Sequence, residues 1–211
     1  APRKHGLDVV DSITAMHQRK AKVFVGMGGN FVSATPDTEF TAAALRNCNL
    51  TVQISTKLNR SHLIHGKKAL ILPCLGRSEE DMQASGLQFI SVENSMGIVH
   101  QSHGHLKPHS NMLLSEPAIV VGLANATLKN TKTAWTAFAS NYDLIRSKIE
   151  ATIPGFENYN KRVRIKGGFY LPNNARENNF SPTASGKANF TVNKPSDIKL
   201  ESNQFIMMTI R

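Results

Sequence analysis

The hydrophobic and polar positions of the first three-quarters of the chain follow alternating helical and strand patterns. Residues 9–19 carry apolar side chains at helical spacing, with Asp8 before them as a candidate helix cap. Short apolar runs bounded by polar or glycine residues are typical of buried strands in a parallel sheet. Such runs occupy residues 22–26, 50–54, 69–73 and 87–92.

Helical patterns lie between and after these apolar runs. A helix is expected to start at Thr35, which can cap it, because Pro36 suits the first helical position and the acidic Asp37 and Glu39 favour its amino end. Further helical segments are predicted at residues 58–65, 115–124, 134–139 and 142–152. This alternation predicts an α/β fold with an open, mainly parallel sheet and flanking helices, whose ligands bind beyond the carboxyl ends of the strands.

The composition changes at about residue 165, beyond which Gly, Asn, Pro and Ser become frequent. We therefore divide the chain into an α/β domain at residues 1–164 and a loop-rich extension at residues 165–211. Residues 205–211 are apolar enough to predict the first strand of another, truncated domain. On this interpretation the sequence is a fragment of a longer protein.

The 211 residues include 25 basic and 15 acidic side chains, a formal net charge of +10. Such an excess is typical of proteins with polyanionic partners. The basic residues are scattered, however, and only 7% of residues are aromatic, so single-stranded nucleic acid fits poorly. No apolar run approaches the roughly 20 residues of a membrane helix. Two cysteines fit a reducing compartment, which favours a cytoplasmic location.

Three predicted strands end in segments suited to bind a ligand. They are the glycine turn Gly26-Met-Gly-Gly-Asn30, the segment Gln53-Ile-Ser-Thr-Lys57 and the segment Pro73-Cys-Leu-Gly-Arg77. Glycines let a phosphate approach main-chain N–H groups, and the other two segments supply polar and basic side chains. The turn is not a dinucleotide fingerprint, because Phe31 replaces its third glycine, and the chain has no phosphate loop. The residues alone are compatible with one shared ligand surface or with plain structural turns.

A histidine cluster and one cysteine are candidate reactive groups, as metal ligands and as a nucleophile. The histidines at positions 100, 103, 105 and 109 lack a metal-ligand spacing, so a loop that lines a pocket or packs is favoured. Cys74 directly follows a strand and has no histidine partner fixed by the sequence, which favours a small buried residue over a nucleophile. No catalytic or metal-binding residue is predicted.

Several longer blocks of the sequence resemble the molybdopterin-dinucleotide oxidoreductases. These blocks are residues 23–30 with 35–37, residues 50–62, residues 69–77 and residues 92–96. Within that superfamily the sequence is most similar to the formate-dehydrogenase-like alpha subunits of the FdhF/YdeP type. The resemblance covers essentially the whole chain. It implies the third domain of a four-domain catalytic subunit, of the formate dehydrogenase/DMSO reductase type, followed by the start of the fourth.

The resemblance implies that this domain holds the guanosine-diphosphate end of one of two molybdopterin guanine dinucleotides, the cofactor that carries molybdenum. Position by position, the implied cofactor-binding residues are Gly28, Gly29, Asn30, Gln53, Ile54, Ser55, Thr56, Lys57, Arg77 and Glu116. Members of the family commonly have Ser-Asp or Gln-Asp where this sequence has Gln53-Ile54, which shifts the expected contact towards Ser55 and Thr56. The metal ligand, and any 4Fe-4S cluster, would lie upstream of residue 1.

We therefore predict a fragment of a molybdenum-dependent oxidoreductase, whose parent resembles formate dehydrogenase and carries out a two-electron reaction on a small molecule such as formate. Its partner would be the rest of the catalytic subunit, with no nucleic acid and no membrane span, and the fragment alone is expected to be inactive. The alternative is a freestanding basic α/β module that binds a nucleotide or nucleic acid.

Overall fold

The computed structural model describes residues 5–194 and 197–207, and the chain divides into two units, residues 1–171 and 172–211. The helices are α1 (Val9–His17), α2 (Phe31–Ala34), α3 (Thr38–Arg46), α4 (Glu116–Thr127), α5 (Trp135–Ser140), α6 (Tyr142–Glu150) and α7 (Tyr159–Arg162). The strands are β1 (Val23–Met27), β2 (Leu50–Ser55), β3 (Lys68–Pro73), β4 (Asp81–Gln83), β5 (Gly86–Gln88), β6 (Ile90–Glu93), β7 (Ile98–Ser102) and β8 (Phe169–Tyr170). A 3₁₀ turn, Arg60–Leu63, follows β2. All of these elements lie in the first unit.

A parallel sheet with the strand order β1-β2-β3 forms the centre of the first unit. Val25 of β1 lies opposite Val52 of β2, which lies opposite Leu70 of β3. The sheet and its helices confirm the predicted α/β class and the first three predicted strands. The finer assignment to one domain type of the molybdopterin enzymes stays a prediction.

Helices cover both faces of the central strand β2. On one side of the sheet, α1 and α3 form a core around the buried Ile13 and Leu45. On the other side, Val52 and Ile54 of β2 pack with Ile119 of α4. The strand is therefore buried on both faces, as predicted, although Thr51 and Gln53 on one face are polar.

The neighbouring strand β1 differs from the prediction of a buried strand. Val23, Val25 and Met27 are 57%, 54% and 43% exposed, whereas Phe24 between them packs on the core of α1 and α3. These three residues share a sheet face with Val52, because every second residue of a strand points to the same side. Strand β1 pairs only with β2 among the described strands, so it is an edge strand with one apolar face exposed.

Residues 87–92 are extended as predicted, except at Phe89, but the prediction that they form a fourth strand of the parallel sheet is wrong. A tight turn after Gln83 pairs β4 with β5 in an antiparallel hairpin. The extended segment is interrupted at Phe89, before β6 begins. Strand β6 then pairs antiparallel with β7, which also pairs with β8. Because these apolar residues pair with neighbouring segments of the chain, they do not join the parallel sheet. A hydrophobic pattern alone does not specify which strands pair.

One predicted helix cap is found and another differs. Asp8 caps α1 as predicted, and Ser115 caps α4; each accepts a hydrogen bond from the first turn of its helix. The short helices α2 and α7 were not predicted. Helix α3 is capped by Asp37, whose carboxylate accepts from Phe40 N at 2.8 Å, and not by Thr35. The Thr35 hydroxyl instead donates to the carbonyl of Val32 in α2, at 3.1 Å. Helix α3 therefore begins at Thr38, three residues after the expected cap.

A buried arginine joins α6 to the antiparallel strands. The Arg146 guanidinium lies 4.0 Å from the centre of the Phe89 ring and donates to Phe89 O and to the carboxylate of Asp143. Arg164 donates to the same carboxylate at 2.8 Å. Burial alone would raise the pKa of Asp143, but the hydrogen bonds and charges of Arg164 and Arg146 outweigh it and hold the pKa below its usual value.

The second unit has turns but no helix or strand at residues 172–194 and 197–207. This agrees with the predicted loop-rich extension. The first unit continues to residue 171, past the predicted boundary at residue 164, because β8 pairs with β7. Of the strand predicted at residues 205–211, residues 205–207 form none, and residues 208–211 lie outside the described part of the chain.

We predict that Val52→Ala destabilises the protein far more than Val25→Ala, although the two residues are neighbours on one sheet face. Val52 is only 3% exposed, so its truncation empties buried space, whereas Val25 is mostly in solvent. We expect V52A to lower the free energy of unfolding by about 2 kcal/mol and V25A by less than about 1 kcal/mol. Urea unfolding followed by circular dichroism measures both. Equal losses would contradict the exposed face of β1.

We also predict that replacing Asp143 destabilises the protein in a pH-dependent way. Because its pKa is lower in the folded chain, the ionised carboxylate contributes stability above the unfolded value of about 3.9, and this contribution is lost as pH falls through the folded value. Asp143→Asn should cost roughly 2 kcal/mol at neutral pH, where Arg146 would lose its buried countercharge, and less in acid.

Urea unfolding at several pH values, from neutral down to the range where Asp143 takes up its proton, tests this. Asp197→Asn is the matched control, because Asp197 forms no ion pair among the described residues. A stability difference between wild type and D143N that does not change with pH would contradict the role of the charge.

Candidate functional site

Three parallel strands bring their carboxyl ends to one edge of the sheet, which we call the carboxyl edge. It comprises residues 28–30 after β1, residues 55–57 at the end of β2 and residues 74–77 after β3. Main-chain hydrogen bonds join these exits: Gly28 N donates to Ile54 O at 2.8 Å, and Cys74 N donates to Ser55 O at 3.2 Å. The three strand exits predicted to share a surface therefore do lie side by side.

The turn after β1 presents free main-chain donors. Gly28 and Gly29 both have a φ of +66°, in the left-handed region that glycine adopts without strain. Gly28 N–H is used by Ile54 O, but the N–H groups of Gly29 and Asn30 have no acceptor within the described parts of the chain. Consecutive free N–H groups in such a turn form a concave anion-binding surface.

The 3₁₀ turn after β2 holds this glycine turn in place. Asn59 Nδ2 donates to Gly29 O at 2.7 Å, and the Ser61 hydroxyl donates to Asn30 Oδ1 at 2.7 Å. The same hydroxyl oxygen accepts from Val32 N at 3.0 Å. Ser61 is only 1% exposed, so water cannot replace these bonds. The turn is thereby fixed on both sides.

A local capping arrangement orients Asn59. Its side-chain oxygen accepts from Ser61 N at 2.9 Å, while Asn59 N donates to His62 Nδ1 at 3.0 Å. The other ring nitrogen of His62, Nε2, is buried and has no hydrogen-bond partner among the described residues. His62 therefore serves as a positioning residue rather than a surface group.

The predicted segment 53–57 divides into buried and exposed halves. Gln53 is buried and its amide donates to Ser61 O at 2.7 Å, and Ile54 is in the core with α4. The Ser55 hydroxyl donates to Lys57 O at 2.8 Å. Thr56 and Lys57 are exposed, and their hydroxyl and ammonium groups have no partner in the part of the chain that is described. The groups available to a ligand are thus those of Thr56 and Lys57.

The other two predicted residues, Arg77 and Glu116, line a cavity at the end of β3. This cavity of about 60 Å³ lies where β3 ends and α4 begins. Its wall is built by residues 75–77, 79, 81, 88–90, 102–104 and 115–117. No residue of the segments 28–30 and 53–57 lines this cavity.

A buried polar network supports this cavity from α6. Tyr142 is 2% exposed; its hydroxyl donates to Asp81 Oδ2 at 2.5 Å and lies 2.6 Å from Ser115 Oγ. Its main-chain N–H donates to Gln88 Oε1 at 2.9 Å. Burial and then the hydrogen bond to the Asp81 carboxylate raise the pKa of Tyr142, so the phenol stays neutral.

Burial, reinforced by two nearby carboxylates, raises the pKa of the Cys74 thiol beside this cavity. Gly76 N and His109 N donate to the Glu79 carboxylate at 2.7 and 3.0 Å, and these bonds lower the pKa of Glu79. Burial, followed by the charges of Glu116 and Glu79, raises the pKa of the Cys74 thiol. A thiol held protonated is a poor nucleophile, which confirms the interpretation of Cys74 as a small buried residue.

The histidine loop takes part in the same cavity. His103 belongs to its lining, and the rings of His103 and His105 meet edge to face at 4.8 Å. His100 lies in β7. Across residues 5–194 and 197–207, no three His, Cys, Asp or Glu side chains are grouped so that they could hold a metal ion. In the same ranges, every helix is too short or too polar to cross a membrane.

Sequence reasoning missed the residues that position the site. Asn59 and Ser61 lie in the block of residues 50–62 that resembles the molybdopterin enzymes, and the spacing of Asn59 and His62 in a capping arrangement is a signal that could have found them. Tyr142 and Asp81 are 61 positions apart and carry no local signal. Their meeting follows from how α6 packs on the β4–β5 hairpin.

The structure is an α/β unit with hydrogen-bond donors suited to an anion at the carboxyl edge of its parallel sheet. Comparison with known proteins indicates the class of protein to which such a unit is similar. No family model matches the chain. Over its whole length it is 48% identical to uncharacterized oxidoreductases of Mycobacterium bovis and Mycobacterium tuberculosis, and 44% identical to protein YdeP of Escherichia coli. The chain spans about a quarter of the length of these relatives, 27% or 28%. The similarity supports the predicted oxidoreductase class in its coarse form.

We predict that Tyr142 is the tyrosine that resists titration with alkali. Its raised pKa means that the neutral phenol contributes stability below the unfolded value of about 10, and this contribution is lost as pH rises through the folded value. Ultraviolet titration should show tyrosine ionisation that is delayed until the protein unfolds. Tyr142→Phe should remove this delayed step and Tyr170→Phe should keep it. A delayed step that survives Y142F would contradict the buried network.

Proposed function

We propose that this chain forms part of an oxidoreductase and that its carboxyl edge binds the diphosphate of a guanine-containing molybdenum cofactor, molybdopterin guanine dinucleotide. The oxidoreductase class is supported by relatives that match the chain from end to end. The cofactor is suggested by the resemblance of residues 23–30, 50–62 and 69–77 to molybdopterin enzymes. The parent reaction we propose is a two-electron oxidation or reduction of a small molecule such as formate.

The observation that carries this proposal is the set of unused donors at the ends of β1 and β2. The N–H groups of Gly29 and Asn30, the Thr56 hydroxyl and the Lys57 ammonium have no partner in the residues that the structure describes. A diphosphate offers acceptor oxygens and negative charge to main-chain N–H groups and to an ammonium. The donor set therefore suits a diphosphate better than a neutral ligand.

The guanosine end of the ligand is assigned to the second group of predicted residues. Arg77 is exposed and Glu116 is half-buried at the cavity beyond β3. A carboxylate can accept hydrogen bonds from the N–H groups of a guanine edge, and a guanidinium can stack on a base or pair with a phosphate. When bound, the cofactor supplies the redox chemistry at its metal, and the residues of this chain bind and orient its nucleotide end.

Isothermal titration of the chain with GDP tests the proposal. We expect binding that Lys57→Gln and Thr56→Val each weaken about five- to tenfold, because each removes one phosphate donor. Both residues are exposed, so neither substitution should unfold the protein. Lys161→Gln is the matched control, since it removes the same charge from the exposed surface of α7 and should leave binding within about twofold.

Three outcomes of this titration differ in meaning. GDP binding that is weakened by K57Q and not by K161Q supports the proposal. GDP binding that K57Q and K161Q weaken equally would show attraction by overall charge only. Tighter binding of a single-stranded oligonucleotide than of GDP, with a steep salt dependence, would favour the alternative of a nucleic-acid-binding module.

A further inference from the structure

The amino ends of the same three strands carry a second concavity, which we call the basic cavity. It has a volume of about 300 Å³. Four of its six lining residues are cationic and the other two are amides. They are Arg19, Lys22, Arg46, Asn47, Asn49 and Lys67. None of these residues belongs to the carboxyl edge.

The parallel sheet explains why these residues meet. Lys22, Asn49 and Lys67 directly precede β1, β2 and β3, so they lie side by side where the strands begin. Asn49 N donates to Lys22 O at 2.7 Å, and Lys67 N donates to Cys48 O at 3.0 Å. The main chain beneath the cavity is therefore fixed.

No described carboxylate neutralises the cations of this cavity. The ion pairs of the described residues involve Arg146, Arg162, Arg164 and Arg176, and none of the four cations of the basic cavity has a described carboxylate within 4.0 Å. Asn47 is held by its amide, which donates to His17 O at 3.0 Å, so its side-chain oxygen and nitrogen keep one orientation. Like charges brought together without counterions repel one another and favour an anionic ligand.

Helix ends account for only part of this charge. Arg46 ends α3 and Arg19 follows α1, and basic residues commonly offset the negative ends of helices. Each helix end contributes roughly half a negative charge, so four cations leave an excess of roughly +3. Lys22 and Lys67 precede strands, where no helix end requires them.

We propose that the basic cavity binds a small ligand with at least two phosphate groups. Its volume is at the lower end of the range of small-molecule sites. Two guanidinium groups and two ammonium groups suit phosphate oxygens, and none of the lining residues is aromatic, so the site recognises phosphates rather than a base. The length of β2, roughly 17 Å, separates this site from the carboxyl edge.

Titration with inorganic pyrophosphate, followed by main-chain amide NMR, tests this inference. We expect saturable shifts at residues 22, 49 and 67, and binding that weakens as salt is added. The double substitution Arg46→Gln/Lys67→Gln should weaken binding at these amides at least tenfold, and Arg19→Gln/Lys22→Gln should do the same through the other two cations. Lys161→Gln/Lys166→Gln removes the same charge elsewhere and should change binding less than about threefold.

The source of the phosphates is distinguished by comparing ligands. ADP and GDP that bind as well as pyrophosphate indicate a nucleoside diphosphate or any diphosphate, because no base contact is expected. Weaker binding of both nucleotides indicates a free inorganic polyphosphate, and either result supports the site.

Other results would overturn the inference. Shifts confined to residues 29, 30 and 56 would place pyrophosphate at the carboxyl edge, which supports the proposed function and refutes the basic cavity. Equal weakening by the cavity variants and by K161Q/K166Q would reduce the effect to net charge. A single-stranded oligonucleotide that displaces pyrophosphate at lower concentration would make the cavity part of a nucleic-acid surface.

Discussion

Ser61 connects the glycine turn to β2 through its buried hydroxyl and its main-chain carbonyl. The hydroxyl accepts from Val32 N and donates to Asn30 Oδ1, and the carbonyl accepts from the Gln53 amide. Loss of such a buried hydroxyl leaves its partners unsatisfied, at a cost of about 1–3 kcal/mol. The bonds from Gly28 N to Ile54 O and from Asn59 Nδ2 to Gly29 O would remain, so the turn would stay beside β2 but lose the bond that holds the Asn30 side chain. The candidate site depends on these links together.

The sheet also sets where ligands can bind. Its strands follow one another in chain order, so the described sheet lacks the reversal of strand order that opens a ligand crevice in many α/β proteins. Anion binding must instead rely on loops at the two ends of the strands. At the carboxyl edge the donors are mainly N–H groups and one lysine, whereas the basic cavity depends on side-chain charge. The two proposed sites therefore differ in their chemistry as well as their position.

Local signals predicted much of this arrangement. The short apolar runs predicted the three strands of the parallel sheet. Asp8 was identified as a helix cap because a single side chain decides such a helix start. The glycine turn and the exposed Lys57 were also visible in the sequence. The hairpin of β4 and β5 was not predicted, because strand pairing depends on the turn between the strands. The hydrophobic pattern does not identify which strands pair. The same limit applies to Tyr142, which meets Asp81 across 61 positions.

The predicted site residues of one segment differ in burial, which the sequence does not reveal. Gln53 and Ile54 belong to the same segment as Lys57, yet their side chains are used by the fold. The most direct test of the central claim is hydrogen exchange of the Gly29 and Asn30 amides with and without GDP. If these N–H groups bind the diphosphate, their exchange should slow several-fold when GDP is added. Unchanged exchange at both amides, under conditions where GDP is bound, would contradict the account.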